Sequence, residues 1–380
     1  MTRRERLLRT MKGQPVDRLP VSPRFWKFCL AYYGAYTVQN MLRSVDEFDW
    51  DMHMGTGAGV RSFFHPSIPA PDTLPPGVTC TGELFETDGV VRVRRVFTTP
   101  AGKLSDAWVC PRAGGRFGVA PAPTPAETLL KGPDDLEALR FLRGEVMPAA
   151  IRRFVETLAE IGENGYLYPY VRSPFNDLSY VFPVTECLML PYDNPGFLQQ
   201  ILAFLQEMCV DDIRAHLAAG ASSIFISGFH ISPSVGWSPR FFRQFFLPLI
   251  RQQADLTHDG GALFHYYDDG KCMEILPLLL EVGVDVFETC TPPPAGDFDP
   301  RAARALVGER VTLMGYVDIE NVLHRGTPSL IEETVREAVA VMGANGRYIV
   351  GSSDGILAQT PVENVRAFFE AGKKYGARAA

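Results

Sequence analysis

One pattern recurs through the C-terminal part of the chain. A short run of β-forming residues closes on a polar side chain, and a helical pattern follows. Residues 223–230 (SIFISGFH), 261–270 (GALFHYYDDG), 284–290 (VDVFETC), 311–318 (VTLMGYVD) and 347–354 (RYIVGSSD) all follow it. Apolar, β-branched runs about 20–40 residues apart, alternating with helices, predict a parallel sheet covered by helices on its faces. The arrangement predicted is an α/β fold, a (β/α)8 TIM barrel with an inserted β-hairpin in the N-terminal third. In such a barrel the strand ends converge on one mouth, where chemistry normally sits. A doubly wound open sheet is the rival. No Gly-rich phosphate loop follows any strand, but flavodoxin-like sheets lack one as well, so both folds stay open at this point.

The remaining elements follow from the same reading. Residues 2–11 form an amphipathic helix closed by Lys12-Gly13, 21–25 a first strand, and helices reach to about Phe48. Residues 48–54 (FDWDMHM) read as a second strand with Asp51 and His53 near its end. Loops are expected over 55–80 and 111–130, where Gly and Pro are frequent and periodicity is lost. Between them, 90–97 and 105–110 pair as a hairpin about Pro100-Ala101-Gly102. Further strands are expected at 165–170, 223–229, 261–265, 284–288, 311–315 and 347–351. The expectation is a single barrel domain over 1–380, with a hairpin and loop excursion at about 80–130; these loops are candidates for lids or docking surfaces.

At 380 residues, 46% hydrophobic and 21% charged, the composition is that of an ordinary globular protein. A formal charge of -7 argues against nucleic acid, whose backbone demands clustered Lys and Arg. No apolar run approaches the roughly 20 residues of a membrane span. Seven scattered cysteines (29, 80, 110, 187, 209, 272 and 290) form no CxxC pair, which fits reduced thiols in a cytoplasmic protein without a leader.

The candidate site lies at the expected strand ends. His265, with Asp268 or Asp269 to orient it, is read as a catalytic acid–base unit; the aspartates can equally cap the next helix. Asp318 is a further catalytic candidate, or a cap. His230, His265, Glu288 and Cys290 together offer N, O and S ligands suited to Zn2+, although they are not clustered in sequence. Glu288 shares the alternation of Val286, so both should face the core, and a lone buried carboxylate is costly enough to imply a role. Tyr168, Tyr170, Arg172, Tyr266, Tyr267 and Asp354, with Trp26, suggest an aromatic-lined binding pocket, able to hold an aromatic ring or, by cation–π contact, a quaternary amine. Packing is the bland alternative for each tyrosine.

The order of motifs resembles the uroporphyrinogen decarboxylase superfamily. The similar stretches are Arg3-Arg4-Glu5-Arg6 through Gly13-Gln14-Pro15-Val16-Asp17-Arg18-Leu19-Pro20-Val21, then His265 and Asp269-Gly270, Gly283-Val284-Asp285, Gly315-Tyr316-Val317-Asp318, Gly326-Thr327-Pro328 and Thr360-Pro361-Val362-Glu363-Asn364-Val365. The resemblance covers nearly the whole chain. It implies a (β/α)8 barrel with its cleft at the strand C-termini and a cleft-facing Asp318. It also implies either porphyrinogen decarboxylation or methyl transfer among methylated substrates, corrinoid proteins and thiols.

The decarboxylases carry an Arg-rich loop after the first strand; here Pro23-Arg24-Phe25-Trp26-Lys27-Phe28 keeps one Arg and one Lys. The zinc-dependent thiol methylators carry a His-x-Cys and a later Cys; here stand His265-Tyr266-Tyr267 and Ser352-Ser353-Asp354. The resemblance therefore implies an O- or N-demethylase type of methyltransferase. It would move a methyl group from a small methylated substrate to a corrinoid (cobalamin) carried by a partner protein, or to a related acceptor, and a homodimer is the expected assembly. The alternatives are a cofactor-independent decarboxylase anchoring a carboxylate through Arg24, Lys27 and Arg172, and a non-catalytic ligand-binding barrel.

Overall fold

The computed structural model describes residues 1–57, 66–114, 121, 123–144, 146 and 148–377. Its strands are β1 (Met52–Gly57), β2 (Thr79–Thr87), β3 (Val90–Thr99), β4 (Gly102–Pro111), β5 (Thr124–Glu127), β6 (Gly165–Tyr170), β7 (Ser223–Ser227), β8 (Leu263–Tyr267), β9 (Val286–Thr289), β10 (Thr312–Val317) and β11 (Tyr348–Ser352). The chain divides into two compact units, one of residues 1–56, 152–170 and 216–380, the other of 57–151 and 171–215.

The first unit holds a seven-stranded sheet in the order β1-β6-β7-β8-β9-β10-β11. Each paired register from β6 to β11 is parallel, so the molecule is a mixed α/β fold with a curled parallel sheet. The inner layer is apolar and aromatic: Tyr166, Tyr168, Phe225, Val286, Met314 and Ile349 pack together with Leu7 and Met11. Those last two belong to helix α1 (Arg3–Met11). The hydroxyl of Thr312, at the start of β10, donates to the Thr10 carbonyl at 3.0 Å, and Arg347, just before β11, donates to that of Met11 at 2.9 Å. Helix α1 thus covers the N-terminal ends of these strands.

Residues 20–22 do not form a full strand, but they bond like one. Val350 N–H donates to Pro20, Ser22 N–H to Val350, and Asp51 N–H to Val21, at 2.7–3.0 Å. The expected strand at 48–54 begins later. Phe48 ends helix α3 (Val38–Phe48), which follows α2 (Trp26–Tyr33), and Asp49 turns the chain in the left-handed region at φ 51°. The strand expected at 261–265 also shifts, to Leu263–Tyr267. Gly261, at φ 75°, still belongs to the turn that ends the preceding helix, and only glycine adopts that conformation without strain.

In the second unit β2, β3, β4 and β5 form a sheet in that order, with β3 and β4 antiparallel about Pro100 and Ala101. Two corrections concern the expected loops. Residues 124–127 pair with β4, and β2 begins at Thr79 inside the loop expected over 55–80; residues 58–65, 115–120 and 122 of those loops lie outside the described residues. The helix expected at 177–190 is broken after Val181, because Pro183 and Pro191 cannot donate to a continuing helix. Arg95 and Asp106 make a fully buried, two-pronged ion pair, and Trp108 Nε1 donates to Asp106 at 2.9 Å.

A second buried charge, Asp51, holds the first unit together. It is 0% exposed and accepts from Arg6 and Arg18 at 2.5 Å each, and from Val21 N–H at 2.9 Å. Removing one partner of a buried pair leaves the other charge desolvated. Asp51→Asn is expected to lower stability by ~3–5 kcal/mol, read from denaturant unfolding; a loss within experimental error of zero overturns this assignment.

Candidate functional site

The site is built around Glu288, in β9. Because side chains alternate along a strand, Glu288 shares the inner face with Val286, as the sequence implied, and it is 1% exposed. In β8 the same alternation puts Leu263, His265 and Tyr267 inward and sends Tyr266 to the opposite face. His265 Nε2 lies 2.9 Å from Glu288 Oε2, within hydrogen-bonding reach. Arg24 Nη1 is 3.6 Å from Glu288 Oε1 and His53 Nε2 is 3.9 Å from the same oxygen. Burial pushes the Glu288 carboxyl up, but the Arg24 charge, His265 and His53 outweigh it and hold it down at about 2. Glu288 is therefore ionised, among one guanidinium and two imidazoles.

Aromatic rings wall this cluster. Tyr168 stacks on Phe225 at 4.8 Å and on His53 at 5.9 Å, and Phe225 meets His265 edge-on at 5.0 Å. The Arg24 guanidinium lies 4.3 Å from the Tyr267 ring centre and 5.3 Å from that of Phe225, a cation–π arrangement. Tyr170, at the end of β6, packs on Phe225 at 5.3 Å. Beyond Arg24, Lys27 Nζ bonds Asp354 at 2.9 Å, and the Tyr267 hydroxyl donates to Asp354 at 3.2 Å. Burial raises the Asp354 carboxyl, but Lys27 and Arg24 bring it below its usual value. Burial, with Asp354 close by, raises that of Asp269.

The structure thus brings together His265, Glu288, Tyr168, Tyr170, Tyr267, Asp269 and Asp354 from the expected set. His230 lies in a one-turn 3-10 helix past the end of β7 and meets Phe229 edge-on. Cys290 is turned away at φ 56°, its thiol 3.8 Å from the Phe287 carbonyl and pushed up by burial. Among the described residues no three His, Cys, Asp or Glu side chains are arranged to hold a metal ion, so the residues do not fit the expected Zn2+. Asp268 accepts from Gly270 N–H at 2.9 Å through one oxygen, and burial raises its carboxyl well above the usual value. Asp318 caps the next helical segment, accepting from Glu320 and Asn321 N–H at 2.8 and 2.6 Å. Tyr266 is buried on the outer face, stacked with Phe287. Arg172, in the second unit, pairs with Asp177 and lies over the Tyr180 ring.

Two members escaped the site expected from sequence. Arg24 figured there only as an anchor for a carboxylate, and His53 was noted without a role. The signal for His53 was its place beside Asp51 in 48–54, legible only once the strand start at Met52 is known.

Comparisons with known proteins agree with this architecture. The sequence model described as uroporphyrinogen decarboxylase (URO-D) matches residues 116–375. That is more than half of the chain, and the protein belongs to this family, whose members are enzymes. A methylated-thiol–coenzyme M methyltransferase of Methanosarcina mazei is 24% identical over 208 residues, 55% of this chain and 53% of that protein; the match spans about half of that relative's length. A uroporphyrinogen decarboxylase of Hordeum vulgare is 28% identical over 247 residues, 62% of this chain and 66% of that protein. The structure of a methyltransferase from Methanosarcina mazei superposes with a TM-score of 0.70 over 99% of both chains at 18% identity, which speaks for the shared fold. No helix is long and apolar enough to cross a membrane among the described residues.

The buried histidine sets a pH window. Burial depresses the His53 imidazole from its usual 6.5 to about 4. Between those values the unfolded chain binds a proton that the folded one refuses, so stability falls as pH drops through this window, by ~3 kcal/mol in total. Glu288 acts lower, its contribution being lost as pH falls from 4.5 towards 2. Denaturant unfolding of the wild type and His53→Asn between pH 7 and 4 is expected to show a stability difference that shrinks or reverses as pH falls. A pH-independent difference contradicts a neutral, buried His53.

Proposed function

We propose that this protein is a methyltransferase that moves a methyl group from a small methylated substrate to a corrinoid protein or a related acceptor. The observation that carries the reading is Glu288, an ionised, buried carboxylate with His265 Nε2 at 2.9 Å and His53 Nε2 at 3.9 Å from its oxygens. In methyl transfer from a heteroatom, the carbon–heteroatom bond breaks, its electron pair stays on oxygen or nitrogen, and the methyl carbon bonds to the acceptor. The departing heteroatom then exchanges its methyl group for a proton, and a site that can handle that proton lowers the barrier. His265 beside Glu288 supplies such a group. The rings of Tyr168, Phe225 and Tyr267 suit a methoxylated aromatic or a methylated amine. The methyltransferase relative supports the reaction class; the corrinoid acceptor rests on the family resemblance.

Decarboxylation of a carboxylated substrate is the second reading, favoured by Arg24, whose buried Nη1 has no hydrogen-bond partner, and by the decarboxylase relative. Against it, the two cations of the cluster are already matched, Arg24 by Glu288 and Lys27 by Asp354. A substrate with many carboxylates calls for several fixed cations. We also infer that the parallel sheet closes into a (β/α)8 barrel through residues 20–22, a reading supported by their hydrogen bonds to β11 and to Asp51.

The test incubates the purified chain with Co(I) corrinoid and a panel of methoxylated aromatics and methylated amines. Formation of methyl–cobalt corrinoid is expected, with kcat/KM falling at least ~100-fold in Glu288→Gln. Release of CO2 from a carboxylated substrate, without methyl transfer across the panel, overturns the reading in favour of the decarboxylase.

A further inference from the structure

Asp268 is held where an ionised carboxylate does not belong. The turn after β8 is wedged between two neighbouring loops, those that follow β7 and β9. Its Gly270 lies against Ser232 and Ser234, so closely that a Cβ there would stand 2.9 and 2.6 Å from their hydroxyl oxygens. Ser234 accepts from Lys271 N–H at 2.6 Å. On the other side Asp297 accepts from Cys272 N–H at 2.7 Å and from Met273 N–H at 3.2 Å. Asp268 opens this turn and ties it to β9. Its own N–H donates to the Glu288 carbonyl at 2.8 Å, and the Thr289 hydroxyl donates to its carbonyl at 3.0 Å. The residue is 0% exposed. Oδ1 takes the Gly270 N–H, while Oδ2 is buried with no hydrogen-bond partner among the described residues.

Nothing around this carboxyl suits a negative charge. The charged groups that face it are themselves acidic, Asp269 in the same turn and Asp297 in the loop after β9. Tyr266 of β8 and Cys272 of the turn are the other titratable groups beside it; burial pushes both up, so neither is ionised. The hydroxyls of Tyr266 and Ser232 are buried and make no bond to it. Burial raises the Asp268 carboxyl well above its usual value, the Gly270 N–H opposes this, and Asp269 and Asp297 add to it. A buried carboxyl without a cation takes up a proton rather than bear the cost of its charge. With Oδ1 accepting from Gly270, the hydrogen belongs on Oδ2.

We infer that Asp268 is a neutral carboxylic acid that keeps the turn after β8 closed against its two neighbours, and that losing its proton is what loosens the turn. Asp268 is thereby a positioning residue. Tyr267 and Asp269 flank it in the chain, and its backbone is bonded to Glu288 and Thr289. The site keeps its shape only while this proton is in place, which builds an upper pH limit into it. The inference does not depend on the methyltransferase reading, since neither a substrate nor an acceptor enters it.

Unfolding experiments on the full chain test it. The unfolded chain releases this proton near 3.8, the folded chain only at higher pH. The acid's contribution to stability is therefore complete below that value and is lost as pH rises through the folded one. Asp268→Asn cannot ionise and keeps an oxygen for the Gly270 N–H. Its folding constant, divided by that of the wild type, is expected to climb about tenfold per pH unit above pH ~4 and to level off once the folded acid ionises. Groups common to the two proteins cancel in this ratio. Amide hydrogen exchange reads the turn itself. Protection of the Gly270, Cys272 and Met273 amides is expected to fall through the same pH range in the wild type and to stay constant in the variant. Should the variant not fold, spectra of the wild type labelled in its aspartate carboxyls decide alone, with Asp268 still protonated where exposed aspartates have ionised. A flat ratio, equal loss of turn protection in both proteins, or an Asp268 carboxyl that titrates with the exposed aspartates overturns the inference.

Discussion

The buried carboxylate of Asp51 is the constraint from which the site is assembled. It draws Arg6 out of helix α1 and Arg18 out of the following segment, and takes the amide of Val21. Without two guanidinium groups its burial would be prohibitive; with them, residues 18–22 are held beside the start of β1. The backbone of Asp51 does the rest. Its carbonyl takes the Ser22 hydroxyl, which leaves the Ser22 oxygen free to accept from His53. A charge cluster at the N-terminal end of the chain thereby determines which nitrogen of a histidine faces Glu288.

Glu288 is another buried carboxylate of the first unit, and it is held differently. Asp51 is saturated by direct hydrogen bonds, as structural carboxylates are. Glu288 is held instead by the Arg24 charge at 3.6 Å and by His265 at 2.9 Å. A buried ionised group with so few direct partners is costly in a folded protein, and such groups are concentrated at functional sites. The contrast between the two carboxylates separates the framework from the site.

Much of the fold was legible because hydrophobic periodicity is local. The β/α rhythm located β6 through β11 to within a few residues, and α1, α3 and the last helix fell close to expectation. Alternation also carried Glu288 to the interior correctly from its neighbour Val286. The same argument failed wherever the chain left regular strand geometry. His230 lies three residues beyond Ser227, in a 3-10 turn, where a two-residue period has no meaning. Cys290 keeps the parity of Glu288, but its positive φ turns the thiol aside. Moving the start of β8 from 261 to Leu263 placed His265 mid-strand and extended the inner face to Tyr267, while Tyr266 points away.

The sequence by itself determined the family, the parallel α/β sheet and the inward-facing pair His265 and Glu288. Each follows from motif order or from short-range periodicity, which a chain carries whatever its distant contacts. Only the tertiary structure set Arg24 beside Glu288 and left, among the described residues, no three side chains grouped for the zinc expected of His230, His265, Glu288 and Cys290. It alone joined His53 to His265 and Glu288. Those residues are separated by more than two hundred positions, and their meeting depends on strand order and on a hydrogen-bond chain from Asp51 through Ser22. No local pattern encodes either.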